Sequence, residues 1–498
     1  MSATNATPVI TLEQRRNLLY VHCPTVIVLN EMKRFLTFIR PVREETKYGK
    51  PIWTQQQELC YQALDDPFIL SCSAGFLYSL VEAFNDRYDL KISRTMCKRV
   101  RENTQPDWSQ LDSSVVFRPK QREVLEKMIA ADRGRIIVPT AFGKSFLITQ
   151  YARIMPKARI IISTYSNAVL QQLYAELNKV LFGQVGIRCS AKKHNPDARI
   201  VCVSQGTLHA YCGEGQNIDV CIVDEQHEFG SPSRIEVLRS IRDAKMFGFS
   251  ANDTRPDGAE FLLNGIFGPV LLKMEYEETV DLDMVTPICV VWVPVQADRD
   301  PVNYYTNYTA KERYGVWRYR QRNRAIAKTA RLFDKEDQVL IPVKTLDHAL
   351  HLRQLLPEFT VVYSSQDSNS PTMRKFISMG LTKGMPPMTQ ARLDQLRDLF
   401  SRGKLKKVIS TTVWSRGVNF PYLGVIIRAD GTNSCIADIQ WPGRAARKQE
   451  GKDVSLVFDF TDEYSPGFHR KALERKKRYS QNHWTQITWN ELHQIINE

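Results

Sequence analysis

Three short runs in this chain hold residue types suited to binding and cutting a phosphate chain. The first is Pro139-Thr140-Ala141-Phe142-Gly143-Lys144-Ser145. It follows an apolar stretch at 135–138 and precedes a helically patterned segment at 144–154. A loop in that setting aims backbone N–H groups and a helix N-terminus at an anion. Lys144 has the reach for β- and γ-phosphates, and Ser145 offers a hydroxyl to magnesium. An ordinary strand-to-helix turn with a solvated lysine is the competing reading. The second run is Val220-Cys221-Ile222-Val223-Asp224-Glu225-Gln226-His227. Two acids directly after four apolar strand residues stand at the carboxyl end of a buried strand, where ligands of such sheets bind. Asp224 there would bind magnesium, and Glu225 would orient or deprotonate an attacking water. A solvated turn is the alternative, and the loop upstream argues against it. The third run is Gln440-Trp441-Pro442-Gly443-Arg444-Ala445-Ala446-Arg447. Two guanidiniums at i and i+3 share one helix face and can neutralise charge developing on a γ-phosphoryl group, with a surface arginine pair as the alternative.

Residues of this kind need a scaffold that brings strand ends together. From Phe117 the pattern alternates strand, loop and helix. Strands are expected at 135–138, 159–163, 200–203, 220–223 and 246–249, and helices at 144–154 and 167–181. A second round starts near 339–341 and continues through 360–363, 407–410, 425–427 and 455–458. Such alternation implies parallel sheets covered by helices. The first 110 or so residues read as a separate α+β unit. In it, 26–29 is expected as a strand, 43–53 as two strands around a Tyr48-Gly49-Lys50-Pro51 turn, 75–84 as a helix and 90–92 as a closing strand. The polar stretch 102–114 is the linker candidate. The Ser-, Gly- and Pro-rich stretch 364–387 reads as an irregular insertion, and 475–478 (RKKR) as part of a basic tail. The expected division is therefore an N-terminal accessory domain at 1–110, two α/β domains at 111–285 and 286–470, and a tail at 471–498.

At 498 residues the chain is too long for one core. Its formal charge of +14 favours a polyanionic partner. The ten cysteines form no CxxC pair and no cluster with zinc spacing, and they read as reduced core residues of a cytoplasmic protein. No signal peptide and no membrane-spanning stretch is expected.

Taken together, these runs resemble the superfamily-two helicases of the DEAH-like group. Asp224-Glu225-Gln226-His227 is similar to that family's DExH box. Phe117-Arg118-Pro119-Lys120-Gln121 resembles the segment before the phosphate loop, which implies that Gln121 reads adenine. Phe249-Ser250-Ala251-Asn252-Asp253, followed by Arg255-Pro256-Asp257-Gly258, resembles the coupling motif and its RxDG trailer. With Gln226, His227 and Gln440, residues Ser250, Ala251 and Asn252 are thereby implied in coupling. The stretch 410–421 resembles motif V, implying that Gly417 and Asn419 lie at the nucleotide. The third run matches QxxGRxxR, which implies that Arg444 contacts phosphate and Arg447 is an arginine finger. The resemblance implies two tandem RecA-like domains and ATP with Mg2+ as cofactors. The sequence departs from the family at Ala141 (usually Gly), Asn252 (usually Thr) and Asn419 (usually an acid). None of these removes Lys144, Asp224, Glu225, Arg444 or Arg447, so a live ATPase is expected. The order of features in the first 110 residues is similar to the accessory domain of phage recombination helicases, which reverse forks and migrate branches. A host cytoplasm is implied for a phage-encoded chain.

The expected activity is an ATP-dependent DNA helicase or translocase on branched, forked or duplex DNA, with an RNA helicase or a silenced nucleic-acid scaffold as the alternatives. A monomer would suffice. Candidate strand contacts are Thr164 and Ser166, Gln205 and Thr207, and Thr411 and Thr412, each polar and each following a strand. Helix caps and turns use the same residue types. Tyr165, Trp414 and Trp441 could stack on bases or lie buried.

Overall fold

The structure is a computed structural model that describes residues 7–44, 52–139, 142–190, 192–251, 255, 257–365, 370–414, 420–449 and 451–497. Its chain divides into two compact units, Met1–Met274 and Glu275–Glu498.

The first unit opens with a five-stranded mixed sheet in the order Tyr61–Ala63, Ile69–Ser73, Leu18–His22, Val9–Arg15, Asp89–Thr95. The last two strands pair in parallel. Thr37–Glu44 and Ile52–Leu59 form a separate antiparallel ribbon, and the Tyr48-Gly49-Lys50-Pro51 turn expected between them lies outside the described residues. The expected strand at 26–29 is instead the start of a helix, Val26–Phe35. Thr25 caps it by accepting the Val28 N–H. Val26 and Ile27 face solvent at 58% and 72% exposure, while Val28, Leu29 and Met32 are buried. Four consecutive apolar residues are thus split between solvent and core, with the spacing of a helix face.

Behind this sheet lies an eight-stranded one in the order Lys192–His194, Val185–Cys189, Ile200–Ser204, Ile160–Thr164, Val220–Asp224, Lys245–Ser250, Arg133–Ile137, Val270–Lys273. Every pairing is parallel except that of the short Lys192–His194 edge. Ile160–Thr164, Ile200–Ser204 and Val220–Asp224 are buried along their whole length, as strands covered on both faces must be. The N-terminal sheet and this one share a continuous apolar core. Phe261, on the helix Glu260–Phe267, joins them: its ring meets Phe35, Phe38 and Phe76 at centroid distances of 6.1, 6.1 and 4.9 Å.

The second unit holds a seven-stranded parallel sheet in the order Thr360–Val362, Lys407–Ser410, Val339–Pro342, Val425–Ile427, Ser455–Phe460, Ile288–Val293, Thr485–Thr488. The expected α/β architecture of two parallel sheets preceded by a mixed α+β region is borne out. The second sheet, however, starts at Ile288–Val293, well before 339. The stretch 364–387 contains a helix, Pro371–Ser378, capped by Ser370, where an irregular insertion was expected. Residues at the C-terminal end build structure too. The helix Pro466–Gln481 leads into Thr485–Thr488, which pairs with Ile288–Val293, and Trp489–Asn497 follows as a helix. The basic run 475–478 accordingly lies within a helix. Arg475 is buried and donates to both carboxylate oxygens of Asp459 at 2.8 and 2.9 Å. Among the described residues no helix is long and apolar enough to cross a membrane.

Candidate nucleotide site

Strand register gathers the candidate residues of the first unit at one edge of its sheet. Asp224 stands opposite Thr164 on one side and Phe249 on the other. Ser204 stands opposite Thr164, and Ser250 opposite Ile137, the last strand residue before the phosphate loop. All are carboxyl ends of parallel strands, the place where loops project into a ligand crevice.

The described part of the loop supports an anion cradle. Pro139 accepts the Phe142 N–H at 3.1 Å, and Phe142 is buried. Gly143 has φ of +91°, a conformation that costs a side-chain-bearing residue about 1–2 kcal/mol. From there the helix Lys144–Ile154 starts, and its first-turn N–H groups have no intrahelical acceptor. Thr140 and Ala141 lie outside the described residues. Gln121 is 2% exposed and braces the loop: its Nε2 donates to the Phe142 carbonyl at 2.6 Å, and its Oε1 accepts the Arg118 N–H at 2.9 Å. A Cβ at Gly143 would lie 2.7 Å from that Nε2.

Lys144 is buried, with its Nζ 3.5 Å from Glu225 Oε1 and 3.9 Å from Asp224 Oδ1. Successive strand residues point to opposite faces, so a regular strand could not turn two adjacent acids toward one lysine. Glu225 solves this by taking a left-handed conformation, φ +55°, before the 3₁₀ turn Gln226–Phe229. Burial pushes the Asp224 carboxyl up to about 6, against the pull of the Lys144 ammonium. A buried Asp224 and a partly exposed Glu225 beside one ammonium suit a site that takes a cation and a polyphosphate together. Ser145, half-buried in the first helical turn, is the hydroxyl nearest in sequence to Lys144.

The remaining residues of the acid box reach into the adjacent strand. His227 Nδ1 lies 2.9 Å from Ser250 Oγ and 3.6 Å from Glu225 Oε2. Burial holds the imidazole below the ordinary histidine range, so it is neutral near pH 7. Gln226 lies over Gly248, where an added Cβ would sit 2.1 Å from its Oε1. Ala251 follows Ser250 at a bend, and Asn252 lies outside the described residues. Arg255 grips Asp257 with two bonds of 2.8 Å. Gly230 lies against that guanidinium, and Arg40 of the N-terminal ribbon donates to the Gly230 carbonyl at 3.0 Å.

Two of the candidate strand contacts, Thr164 and Thr207, are occupied within their own turns. Thr164 is buried, and its hydroxyl accepts the Ser166 N–H at 3.2 Å. Thr207 Oγ1 lies 3.0 Å from Ser204 Oγ and donates to the Arg188 carbonyl. Gln205 sits beside Arg234, whose guanidinium lies 5.1 Å from the Tyr165 ring centroid. Arg234 was not anticipated, since no spacing in the sequence links it to Tyr165. In the second unit Thr411 is buried and Thr412 exposed. Trp414 packs against Phe400 and Phe420 at 1% exposure, and Trp441 is 4% exposed, which removes both as base-stacking platforms.

The expectation that Arg444 and Arg447 share a helix face is overturned. The helix Cys435–Ala445 carries Gln440, half-buried, and Arg444, whose guanidinium lies 5.7 Å from the Trp441 ring centroid. It ends at Ala445, and Arg447 is in an isolated bridge with Val285. The Ala446 carbonyl accepts the Thr286 N–H at 2.7 Å, so pairing with the 285–286 segment replaces the next helical turn. Gly417 and Asn419 lie outside the described residues.

Comparison with known proteins fits this geometry. The family described as Type III restriction enzyme, res subunit, matches residues 114–254. The Helicase conserved C-terminal domain matches residues 321–449. "Putative helicase 22" of Sulfolobus islandicus filamentous virus is 21% identical over 384 residues, 71% of this chain, which spans 64% of that protein. The ATP-dependent DNA helicase uvsW of Enterobacteria phage T4 is 22% identical over 410 residues, 79% of this chain and 75% of that protein. Among solved structures, S. cerevisiae Dbp5 bound to RNA and ADP BeF3 matches with a TM-score of 0.53 at 14% identity. That match covers 81% of this chain and 97% of Dbp5. With both halves of the helicase core matched and the phosphate loop facing the acid box, the chain belongs to the superfamily-two helicases.

Proposed function

We propose that this helicase is an ATP-driven DNA translocase acting on branched, forked or duplex DNA in recombination, repair or replication-fork remodelling. The observation that carries the reading is the Lys144 ammonium set against Asp224 and Glu225, with His227 linking that acid box to Ser250. Lys144 binds the β- and γ-phosphates, and Ser145 and Asp224 hold Mg2+. The bound ion supplies charge neutralisation on the phosphate oxygens. Glu225 orients and deprotonates the attacking water, and Gln121 keeps the loop in shape for the nucleotide. Arg444 and Arg447 contact the γ-phosphate, and Gln440 takes part in coupling. DNA as the track is supported by the Arg255–Asp257 pair of the RxDG trailer and by the similarity to the phage T4 protein named as a DNA helicase. A cytoplasmic setting goes with this reading.

The test is steady-state ATP turnover without nucleic acid and with single-stranded, duplex, forked and four-way DNA and RNA, at matched salt. Strongest stimulation by forked or four-way DNA is expected. Strongest stimulation by RNA would make the chain an RNA helicase. No turnover with any of them would leave a nucleic-acid scaffold on a helicase fold.

A further inference from the structure

Lys452 is outside every motif of the sequence, yet its ammonium sits at the end of the helix that carries Arg444. Gly451, just before it, has a φ of +76°. Its Nζ donates to the Leu423 carbonyl at 2.7 Å, to the Arg447 carbonyl at 3.0 Å and to the carbonyl of Ala445. An ammonium has three N–H donors, so all three are used. Ala445 is the last residue of the helix, where carbonyls lack intrahelical partners and carry the negative end of the dipole. Ser455 Oγ adds a bond of 2.7 Å to the same Ala445 carbonyl. Thr286 Oγ1 reaches the Arg447 carbonyl at 3.3 Å. The backbone that presents Arg444 and Arg447 is therefore held from two sides, and Lys452 is the charged one.

We propose that Lys452 is a positioning residue for ATP turnover: it fixes the backbone at Ala445 and Arg447 so that the two arginines are held ready for the γ-phosphate. This rests on the reading of Arg444 and Arg447 given above. No ion pair joins Lys452 to a carboxylate among the described residues. The charged group that faces it is Arg447, while Lys448 beside it pairs with Asp283. Burial, and secondarily Arg447, push the Lys452 ammonium down to about 8. Above that pH the amine has two donors and a lone pair for three carbonyls, so one carbonyl is released. The sign for stability is opposite. A lysine that titrates lower in the folded chain than its ordinary 10.5 leaves more protons on the unfolded chain between those values, so folding is favoured as pH rises there. A loss of turnover on the alkaline side is then not unfolding driven by this lysine.

The experiment measures kcat and KM for ATP from pH 6.5 to 9.5 in the full chain, in K452M, K452R and R447A. Hydrogen exchange of 284–287 and 444–448 is followed without nucleotide. The wild type is expected to lose kcat above about pH 8. K452M should have kcat lower by about 10²-fold at pH 7, the scale of a 1 Å misplacement, with KM changed less than about threefold. It should show no alkaline limb and faster exchange at 444–448. K452R, charged throughout, should restore turnover at pH 7 and also lack the limb. Wild-type kcat or an unchanged alkaline limb in K452M would overturn the proposal. Should K452M fail to fold, the wild type decides: no fall in kcat above about pH 8, or no loss of protection at 444–448 beyond the intrinsic rise of exchange with pH, overturns it. R447A turning over normally would instead overturn the reading of the arginines.

Discussion

Replacing His227 tests whether the acid box speaks to the neighbouring strand. His227 and Ser250 form one buried hydrogen bond of 2.9 Å between two neutral groups. A bond of that kind contributes about 1 kcal/mol net, with a range of about 0.5–1.5. If it transmits the state of the nucleotide to the strand end, its loss should reduce nucleic-acid stimulation of ATP turnover by about fivefold, the factor that 1 kcal/mol of coupling represents. Basal turnover should change less, because His227 touches Glu225 only at 3.6 Å and neither Lys144 nor Asp224 by any ion pair described. The assay is turnover at zero and saturating DNA for the wild type, H227A, S250A and the double variant, with thermal melting as a check on folding. In a double-mutant cycle the second replacement should cost almost nothing once the first is made. Full additivity of the two, or stimulation intact in H227A, would refute the reasoning.

Removing the ammonium in K144A should abolish turnover, and an unaltered rate would remove the site assignment. R447A should spare ATP binding and slow turnover by about 10³-fold or more, as for other arginine fingers; binding and rate falling together would exclude that role. Phe76 is fully buried against Phe261, and F76A should destabilise the first unit by about 3–5 kcal/mol in urea unfolding. A loss under about 1 kcal/mol would mean that the N-terminal sheet is not held by this contact. Burial, and secondarily Arg322, keep the His348 imidazole well below its ordinary 6.5. The unfolded chain therefore binds the extra proton first, and the stability present above the ordinary histidine range is lost as pH falls through it. Melting temperature should drop on acidification from pH 7 to about 5, and less so in H348Q; an equal drop in both would refute this assignment.

What the sequence reveals and what it conceals follow from how far each feature depends on remote residues. The strand at 407–410, the helix at 144–154 and the acid pair after 220–223 are set by local pattern, and the structure has each where it was expected. The lysine and the acids are 80 residues apart, yet the parallel sheet alone brings them together, so motif order and fold class sufficed. Features that fail are those decided by distant partners. Val26-Ile27-Val28-Leu29 has strand composition, and only the Thr25 cap and the core beneath make it a helix. Ile288–Val293 is strand-like in sequence, but its place as the start of the second sheet depends on Ser455–Phe460 and Thr485–Thr488 closing around it.

Arg447 shows the same limit at the site itself. Spacing i to i+3 reads as one helix face only if the helix continues, and nothing local stops it after Ala445. Termination comes from Val285 and Thr286, far upstream in the chain, and from Lys452, which collects the terminal carbonyls. A guanidinium on a helix turns with its helix. One on a segment held both by residues 285–286 and by Lys452 depends on each, and the lysine holds three carbonyls where the Thr286 hydroxyl holds one. T286V, which removes the hydroxyl bond to the Arg447 carbonyl but keeps the N–H bond to Ala446, should therefore slow turnover less than K452M does. A larger loss in T286V than in K452M would place the restraint in the bridge and not in the lysine.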